Sequence, residues 1–168
     1  TLDEEDKEAN KGAVQEPNAF LKRHILISTY DLFKKIKEQG LLDKVALKDM
    51  GAGGNTCASV EMVSHHELGA EIDLENIHTA LEDLHPSVIA CAETQERLCW
   101  MCHPDLTQMI LDHYNKTWDL PKIAANARAS HVGKVRKGNF TLKYEGTTVC
   151  DATAKDITEG LRYEREYS

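Results

Sequence analysis

The sequence lacks an excess of basic residues, a long nonpolar run and a recognisable secretion signal. Its 20 lysines and arginines stand against 28 aspartates and glutamates, so the formal net charge is -8. This charge disfavours nonspecific binding to nucleic acids and to anionic membranes, because both are polyanions. No nonpolar run approaches the roughly 20 residues of a membrane-spanning helix, and the chain does not begin with a charged segment followed by a nonpolar one. We therefore expect a cytoplasmic protein that binds neither nucleic acid nor membrane.

The cysteines show no regular pattern either. There are five, an odd number at irregular spacings, which is not typical of a disulfide framework. Cys99 and Cys102 lie three residues apart in a predicted strand, where they would point to opposite faces. The eight histidines lack a recognisable ligand spacing. We therefore interpret the cysteines as reduced thiols and do not assign them to a metal site.

The first 17 residues differ in composition from the rest of the chain. The sequence starts at Thr1, and an acidic run from Asp3 to Glu8 has no nonpolar periodicity. Such a segment is typical of a solvated linker. We predict that residues 1–17 are a linker or entry segment, that residues 18–168 form a single domain, and that the chain is a fragment of a longer polypeptide.

The remaining sequence mixes helical and strand patterns. Nonpolar residues recur at helical spacing between Asn18, a suitable N-cap, and Gly40, a suitable stop. Further helices are predicted over 59–65, 86–92 and 105–114, and strands over 45–49, 69–74 and 97–102. From residue 132 onward, an alternating pattern is interrupted at 137–139 and 145–146, as is typical of hairpin turns. Because the elements do not follow a regular βαβ order, we predict an α+β fold with a mixed β-sheet packed with helices.

A glycine-rich segment follows the first predicted strand. It begins at Asp49 and contains Gly51, Gly53 and Gly54. Free backbone amides at a helix N-terminus can bind a phosphate, and Mg²⁺ needs only one or two carboxylates beside water and substrate phosphate. The segment is not a P-loop, because no Gly-Lys-Ser/Thr follows. Two interpretations stay open: a magnesium and phosphate site, or an acid that caps the next helix after a tight turn.

A second polar segment, Glu93-Thr94-Gln95-Glu96-Arg97, lies at the junction between a predicted helix and a predicted strand. Side chains at such junctions commonly meet ligands, so the first three residues could hydrogen-bond a polar ligand. In that interpretation, Glu96 and Arg97 form a solvated pair. The alternative is that the segment is an ordinary polar surface junction.

Together these motifs resemble one known family, the large subunit of phosphoribosylformylglycinamidine synthase. This enzyme is the formylglycinamide ribonucleotide amidotransferase of purine biosynthesis. The likeness spans nearly the whole chain and is to the C-terminal domain of the first aminoimidazole-ribonucleotide-synthetase-like half. It rests on the glycine-rich segment with Ser59-Val60-Glu61-Met62 behind it, on Glu71-Ile72-Asp73-Leu74, and on Glu93-Thr94-Gln95-Glu96-Arg97. The resemblance implies a fold like that synthetase C-terminal domain.

The resemblance also implies roles for individual residues. Asp49 corresponds to a Mg²⁺ ligand, and the three glycines after it correspond to a supporting loop. Locally, Gln15 is only an amide in the entry segment, but it corresponds to a residue that contacts the substrate. Four residues thus correspond to substrate-binding positions: Gln15, Glu93, Thr94 and Gln95.

In this family, ATP phosphorylates the amide oxygen of formylglycinamide ribonucleotide, and ammonia from a glutaminase then displaces phosphate. The resemblance therefore implies an ATP-dependent carbon–nitrogen ligase with Mg²⁺, a glutaminase subunit and a small accessory subunit. The catalytic histidine and main ATP contacts would lie in a preceding domain, so we expect the isolated chain to be inactive. Two alternatives stay open. One is a noncatalytic packing domain of the same fold, and the other is a related synthetase or kinase for another small phosphorylated substrate.

Overall fold

The computed structural model describes residues 18–79, 81–160 and 164. Its longest helix, α1, spans Ala19–Glu38. The Asn18 side chain caps this helix by accepting a hydrogen bond from the Leu21 amide at 2.9 Å, and Gly40 follows its end with a φ of +70°. The predicted cap and stop are therefore both confirmed. The helix buries Leu32 and Ile36 completely, in agreement with the nonpolar spacing of the sequence.

A two-stranded antiparallel ribbon follows α1. A 3₁₀ turn over Leu42–Lys44 leads into β1, Val45–Asp49, which pairs with β3, Leu98–Cys102. Asp49 is the last residue of β1 and lies opposite Leu98, the first residue of β3. The strand pattern thus predicted both strands, and the pairing brings the region after Asp49 next to the region before Leu98.

Helix α2 spans Gly54–Ser64 and begins five residues earlier than the predicted start at Ser59. The extension follows from the glycines, because Gly53 adopts the left-handed conformation, with a φ of +71°, at the N-cap position. Val60 and Val63 are buried, as their spacing predicted. The glycine-rich segment is therefore a short loop whose last glycine, Gly54, is already helical.

A four-stranded mixed sheet forms the other β structure. It consists of β2 Leu68–Asp73, β4 Gly133–Lys137, β5 Phe140–Tyr144 and β6 Thr147–Ala152, in the order β4-β2-β5-β6. Strands β2 and β5 are parallel, and the other pairs are antiparallel. Leu74, predicted as the end of the strand, instead begins a 3₁₀ turn and is buried. The mixed sheet and the helices that pack on it confirm the predicted α+β fold.

One of the two predicted hairpin turns is wrong. Residues 145–146 do join the paired strands β5 and β6, but residues 137–139 join β4 to β5, and β2 lies between those two strands. The connection crosses over β2 at Gly69, where a Cβ atom would collide with the carbonyl groups of Gly138 and Asn139. The absence of a side chain at Gly69 permits this crossing, and local turn chemistry cannot distinguish it from a hairpin.

The predicted helix over 105–114 is divided into three pieces. A 3₁₀ turn over Pro104–Leu106 precedes α4, Thr107–Asp112, and a π-helical turn over His113–Thr117 follows. Such a turn shifts the facing direction of later residues. His113 and Tyr114, at the start of this turn, each form a buried hydrogen bond to α1, which a regular helix pattern does not reveal.

Three shorter helices complete the described structure: α3 Pro86–Cys91, α5 Leu120–Ile123 and α6 Ala154–Glu159. The helix predicted after Pro86 is confirmed as α3. Within the described ranges, no helix combines the length and nonpolar character needed to cross a membrane.

The buried nonpolar residues form two clusters. The sheet core packs α2, α3 and α6 against the four-stranded sheet, and its centre includes Val60, Leu74 and Phe140. The ribbon core packs α1, α4 and α5 against the ribbon, and it includes Leu32, Ile36 and Tyr114. The glycine-rich loop connects β1, in the ribbon, to α2, which packs in the sheet core. It therefore lies where the two clusters meet.

Candidate functional site

The glycine-rich loop leaves the ribbon at Asp49 and enters α2 at Gly54. Asp49 is exposed, and one of its carboxylate oxygens lies 4.0 Å from the position that a Cβ atom on Gly51 would occupy. The Met50 amide donates a hydrogen bond of 3.2 Å to the carbonyl of Arg97, which extends the ribbon pairing by one residue. The carboxylate therefore stands at the rim of the loop and is open to solvent.

Gly54 allows a close approach between two segments. A Cβ atom on this residue would collide with the carbonyl oxygen of Ala92, just past the end of α3. Its φ of +54° also disfavours other residues. The next two residues reinforce the contact, because Asn55 Nδ2 donates to the Ile89 carbonyl at 2.7 Å and Thr56 Oγ1 donates to the Ala90 carbonyl at 3.1 Å. The start of α2 is thus held against the end of α3.

The second polar segment lies directly beside this loop. Glu93 Oε1 accepts a hydrogen bond of 3.1 Å from the Gly53 amide. Glu93 and Gln95 are exposed, Thr94 is half-buried, and Gln95 Nε2 lies 3.4 Å from the Glu93 carbonyl oxygen. Two motifs forty residues apart in the sequence therefore share one surface.

The predicted site residues are not all described. The structure brings Asp49, the three glycines and the segment from Glu93 to Gln95 together. Gln15 lies outside the described residues, so its position beside them stays a prediction.

Arg97 is a site residue that the sequence pattern missed. Its Nε donates to the Thr94 carbonyl at 3.2 Å, and its Nη2 donates to the Ala92 carbonyl. The side chain is half-buried, and desolvation lowers the pKa of its guanidinium from the usual value. Arg97 is therefore not half of a solvated pair with Glu96. The five-residue motif does not show whether Arg97 pairs with Glu96 or binds backbone carbonyls. The carbonyls of Ala92 and Thr94 meet the Arg97 guanidinium only in the folded chain.

A polar cluster lies between β1 and α2, next to the loop. Lys48 forms an ion pair with Glu61, and the Cys57 thiol donates to Glu61 Oε1 at 3.0 Å. A Cβ atom on Gly53 would lie 2.7 Å from the Cβ atom of Cys57. The loop therefore packs directly on the first turns of α2, and Lys48 joins the strand to that helix.

The donor set fits a magnesium ion that is shared with a ligand. Among the residues that the structure describes, no group of three or more histidine, cysteine, aspartate or glutamate side chains could hold a metal. Mg²⁺ does not need such a group, because it commonly takes one or two carboxylates and completes its shell with water and substrate phosphate. An exposed Asp49 beside a glycine loop meets that requirement.

The Cys-x-x-Cys segment lies in β3 and has a different character. Burial raises the pKa of the Cys99 thiol to about 11, which disfavours the thiolate that metal ligation requires. Cys102 is half-buried and lies 3.7 Å from the Thr107 hydroxyl. Cys99 and Cys102 are thus free, half-buried thiols of a packed strand.

Two cavities lie away from the loop. One of about 380 Å³ is lined in part by Leu74 and Tyr144, and another of about 220 Å³ is lined in part by Glu71. None of the described site residues lines either cavity. Asp49, Glu93 and Gln95 are exposed, so the candidate site faces solvent on this chain.

Comparison with known proteins supports the resemblance in the motifs. The family described as AIR synthase related protein, C-terminal domain, matches residues 1–144. The phosphoribosylformylglycinamidine synthase subunit PurL of Methanothrix thermoacetophila is 43% identical over 166 residues, which are 98% of this chain and 21% of the relative. The PurL subunit of Halobacterium salinarum is 34% identical over 126 residues, which are 71% of this chain and 16% of the relative.

Solved structures of Thermotoga maritima PurL share the fold. PurL complexed with FGAR has a TM-score of 0.69 at 22% identity, covering 90% of this chain and 23% of that one. The PurLQS structure has a TM-score of 0.66 at 23% identity, covering 84% and 22%. PurL complexed with ATP has a TM-score of 0.62 at 22% identity, covering 84% and 22%. The synthetase-like fold predicted from the motifs is thus confirmed.

The chain spans about a fifth of the length of these relatives. The family match, by contrast, covers most of the chain, and the fold agrees with it. The protein therefore belongs to the family of AIR synthase related proteins, C-terminal domain.

Proposed function

We propose that this chain is part of the large subunit of a phosphoribosylformylglycinamidine synthase. Residues 18–168 form the C-terminal domain of the first synthetase-like half of a longer chain, and residues 1–17 enter it. Support comes from the 43% identity to a PurL subunit over 98% of the chain, together with the share of that relative that the chain spans.

The observation that carries the proposal is the hydrogen bond between the Gly53 amide and Glu93. It joins two of the motifs on which the family resemblance rests, the glycine-rich segment and the segment that begins at Glu93. Asp49, the proposed metal ligand, ends the strand before the loop and is exposed, as are Glu93 and Gln95 on the segment beside the loop. A substrate with both a phosphate and an amide needs such a combination.

The reaction is a ligation in two steps. The amide oxygen of formylglycinamide ribonucleotide attacks the γ-phosphorus of ATP, and ADP leaves. Ammonia then adds to the activated carbon, phosphate leaves with the former amide oxygen, and loss of a proton gives the amidine. Phosphoryl transfer of this kind depends on positioning and on stabilisation of developing charge.

Each predicted site residue of this chain then has a defined role. Glu93, Thr94 and Gln95 orient the substrate, together with Gln15, which lies outside the described residues. Glu93 uses Oε1 to hold Gly53, which leaves Oε2 as its oxygen for the substrate. Asp49 would hold Mg²⁺, and when bound this ion neutralises phosphate charge. The glycine loop keeps Asp49 and Glu93 adjacent.

The rest of the site belongs to other parts of the assembly. The Thermotoga maritima relatives were solved with FGAR, with ATP and as PurLQS. By analogy, we assign to this protein an ATP-binding domain that precedes the chain and supplies the catalytic histidine, a glutaminase subunit and a small accessory subunit. The site on this chain is open, so the isolated chain should not turn over. The net charge of -8 suits a cytoplasmic enzyme that does not bind nucleic acid.

The test uses the full-length protein that carries this chain. Ammonia-dependent, ATP-dependent formation of the amidine is measured, so that the glutaminase is not required. We expect Asp49→Asn and Gln95→Ala to lower kcat/KM by about a hundredfold, since each removes an interaction with the reacting complex.

Matched controls lie nearby. Gln39→Ala changes an exposed side chain at the end of α1, and Asp43→Asn changes one in the 3₁₀ turn that follows. Both variants should keep the wild-type rate. If the Asp49 and Gln95 variants also keep that rate, the chain is a packing domain without a ligand. If the wild-type protein phosphorylates another substrate but forms no amidine, it is a related kinase or synthetase.

A further inference from the structure

We infer that Arg97 is the positioning residue of the candidate site, because its guanidinium fixes the backbone that presents Glu93, Thr94 and Gln95 to the substrate. This inference rests on the proposed function. It adds a residue that touches neither substrate nor metal, and that acts through the segment it holds.

The first support is the geometry of the side chain. Arg97 donates from Nε to the Thr94 carbonyl and from Nη2 to the Ala92 carbonyl, so that one planar group binds two carbonyls on either side of Glu93. A lysine ammonium can rotate and has no fixed fork, so it cannot impose the same two-point restraint. The backbone of the substrate segment is therefore fixed by arginine in particular.

The second support is that Arg97 also restrains the glycine loop. Its own carbonyl accepts the Met50 amide at 3.2 Å, one residue after Asp49. On the other side, Glu93 holds the Gly53 amide, and the Ala92 carbonyl packs against Gly54. A shift of the segment from Ala92 to Thr94 would thus be transmitted to both ends of the loop.

The third support is that the Arg97 guanidinium binds the backbone of the segment and not a carboxylate. None of the ion pairs among the described residues includes this group, which donates to neutral carbonyls instead. Its hydrogen bonds are therefore directed at the chain that carries Glu93, Thr94 and Gln95, as a positioning role requires.

The experiment compares Arg97→Ala and Arg97→Lys in the full-length protein. With ammonia as nitrogen donor, we expect Arg97→Ala to raise the KM for formylglycinamide ribonucleotide by about tenfold or more, because a misplaced binding segment loses contacts with the substrate. Arg97→Lys should recover part of the loss, since an ammonium can bind one of the two carbonyls. The KM for ammonia should stay within about twofold.

Arg136→Ala is the matched control. Arg136 donates to the Thr141 hydroxyl at 3.1 Å in the four-stranded sheet. The variant therefore loses an arginine hydrogen bond outside the site. Its KM for the substrate should equal that of the wild type. If Arg97→Ala lowers only the active fraction and the melting temperature while KM is unchanged, the role of Arg97 is purely structural and the inference is wrong.

Amide hydrogen exchange gives a readout that needs no activity. In Arg97→Ala, the amides of Met50 and Gly53 should exchange at least about tenfold faster, while those of β5 should keep their rates. Unchanged exchange at Met50 and Gly53 would overturn the inference. A wild-type protein that forms no amidine would refute the proposed function, and the exchange data would still decide whether Arg97 holds the two motifs.

Discussion

The sheet region and the ribbon region are stabilised in different ways. The buried residues of the sheet region are nonpolar except Thr141, whose hydroxyl donates to a backbone carbonyl of β2. In the ribbon region, buried Ser28, Thr29 and His113 accompany the nonpolar residues. The Tyr114 hydroxyl lies 2.8 Å from Thr29 Oγ1, and His113 Nε2 lies 2.8 Å from the Ser28 carbonyl oxygen. Nonpolar burial dominates the sheet region, whereas the ribbon region depends on more buried hydrogen bonds between side chains and distant segments.

This difference matters for the candidate site, which draws on both regions. Asp49 ends a ribbon strand, and Gly54 begins a helix of the sheet core. Nonpolar packing tolerates small displacements, while a hydrogen bond weakens steeply when its geometry is lost. The polar contacts of the loop, including the one between Gly53 and Glu93, therefore fix the relation of the two regions where the ligand would bind.

The largest loss of stability should come from a substitution in the sheet core. Phe140 is completely buried at its centre. We expect Phe140→Ala to lower the free energy of unfolding by about 3–5 kcal/mol, because lost nonpolar burial and a new cavity act together. Denaturant unfolding followed by circular dichroism measures the change. Phe20→Ala is the matched control, since Phe20 is 62% exposed; equal losses for both variants would refute the assignment of this core.

The next largest effect should come from one hydroxyl in the ribbon region. Tyr114 OH shares a hydrogen bond with Thr29 and accepts one from Trp100 Nε1 at 3.0 Å. Tyr114→Phe should lower the free energy of unfolding by about 1–3 kcal/mol, because it leaves buried polar partners unsatisfied. Urea unfolding tests this value. Tyr30→Phe serves as control, as Tyr30 is 68% exposed, and a Tyr114 variant as stable as this control would remove the distinction between the regions.

A smaller loss of stability should accompany mild acidification. Desolvation lowers the pKa of the buried His113, more than its bond to the Ser28 carbonyl raises it, so the folded state favours the neutral ring. The unfolded state, with a pKa near 6.5, binds the proton first. Stability is therefore complete above pH 6.5 and declines as pH falls from there to the folded pKa, by at most about 1.4 kcal/mol per pH unit for one proton.

Urea midpoints between pH 7.5 and 5 test this expectation, and His113→Gln should have a shallower slope than the wild type. His78 also has a lowered pKa and keeps part of the slope in that variant. Asp31 does not contribute in this range, because hydrogen bonds from Lys35 and Trp118 lower its pKa below the ordinary 3.8. Equal slopes for the variant and the wild type would contradict the role given to His113.

The smallest change in stability should come from the loss of an ion pair on the outer face of the sheet. Glu71 lies 3.1 Å from the ammonium groups of both Lys134 and Lys143, and these ion pairs lower the pKa of its carboxyl group. Ion pairs near solvent contribute little to stability and are screened by salt. Glu71→Gln should shift the urea midpoint slightly at low salt and not at high salt, whereas the exposed control Glu38→Gln should shift neither. A large shift at low salt that disappears at high salt would show that charge, too, stabilises the sheet region.

Several elements could be predicted because their signals are local. The cap at Asn18, the stop at Gly40 and the helical spacing between them lie within one segment, and the structure has the helix they indicate. The strand that ends at Asp49 has the same kind of signal. The turn at 137–139 shows the limit, because its glycine fits a hairpin as well as a crossing over β2.

For the candidate site, the sequence by itself determined the motifs and their family resemblance. Side-chain types and short spacings sufficed, since a carboxylate before glycines and a run of acceptors are visible in the chain. Only the tertiary structure decided that Glu93 binds Gly53 and that Arg97 is half-buried across the carbonyls of Ala92 and Thr94. The physical reason is that these contacts need strand pairing and helix packing to bring their partners together. A short pattern encodes the groups, and the fold sets the distances between them.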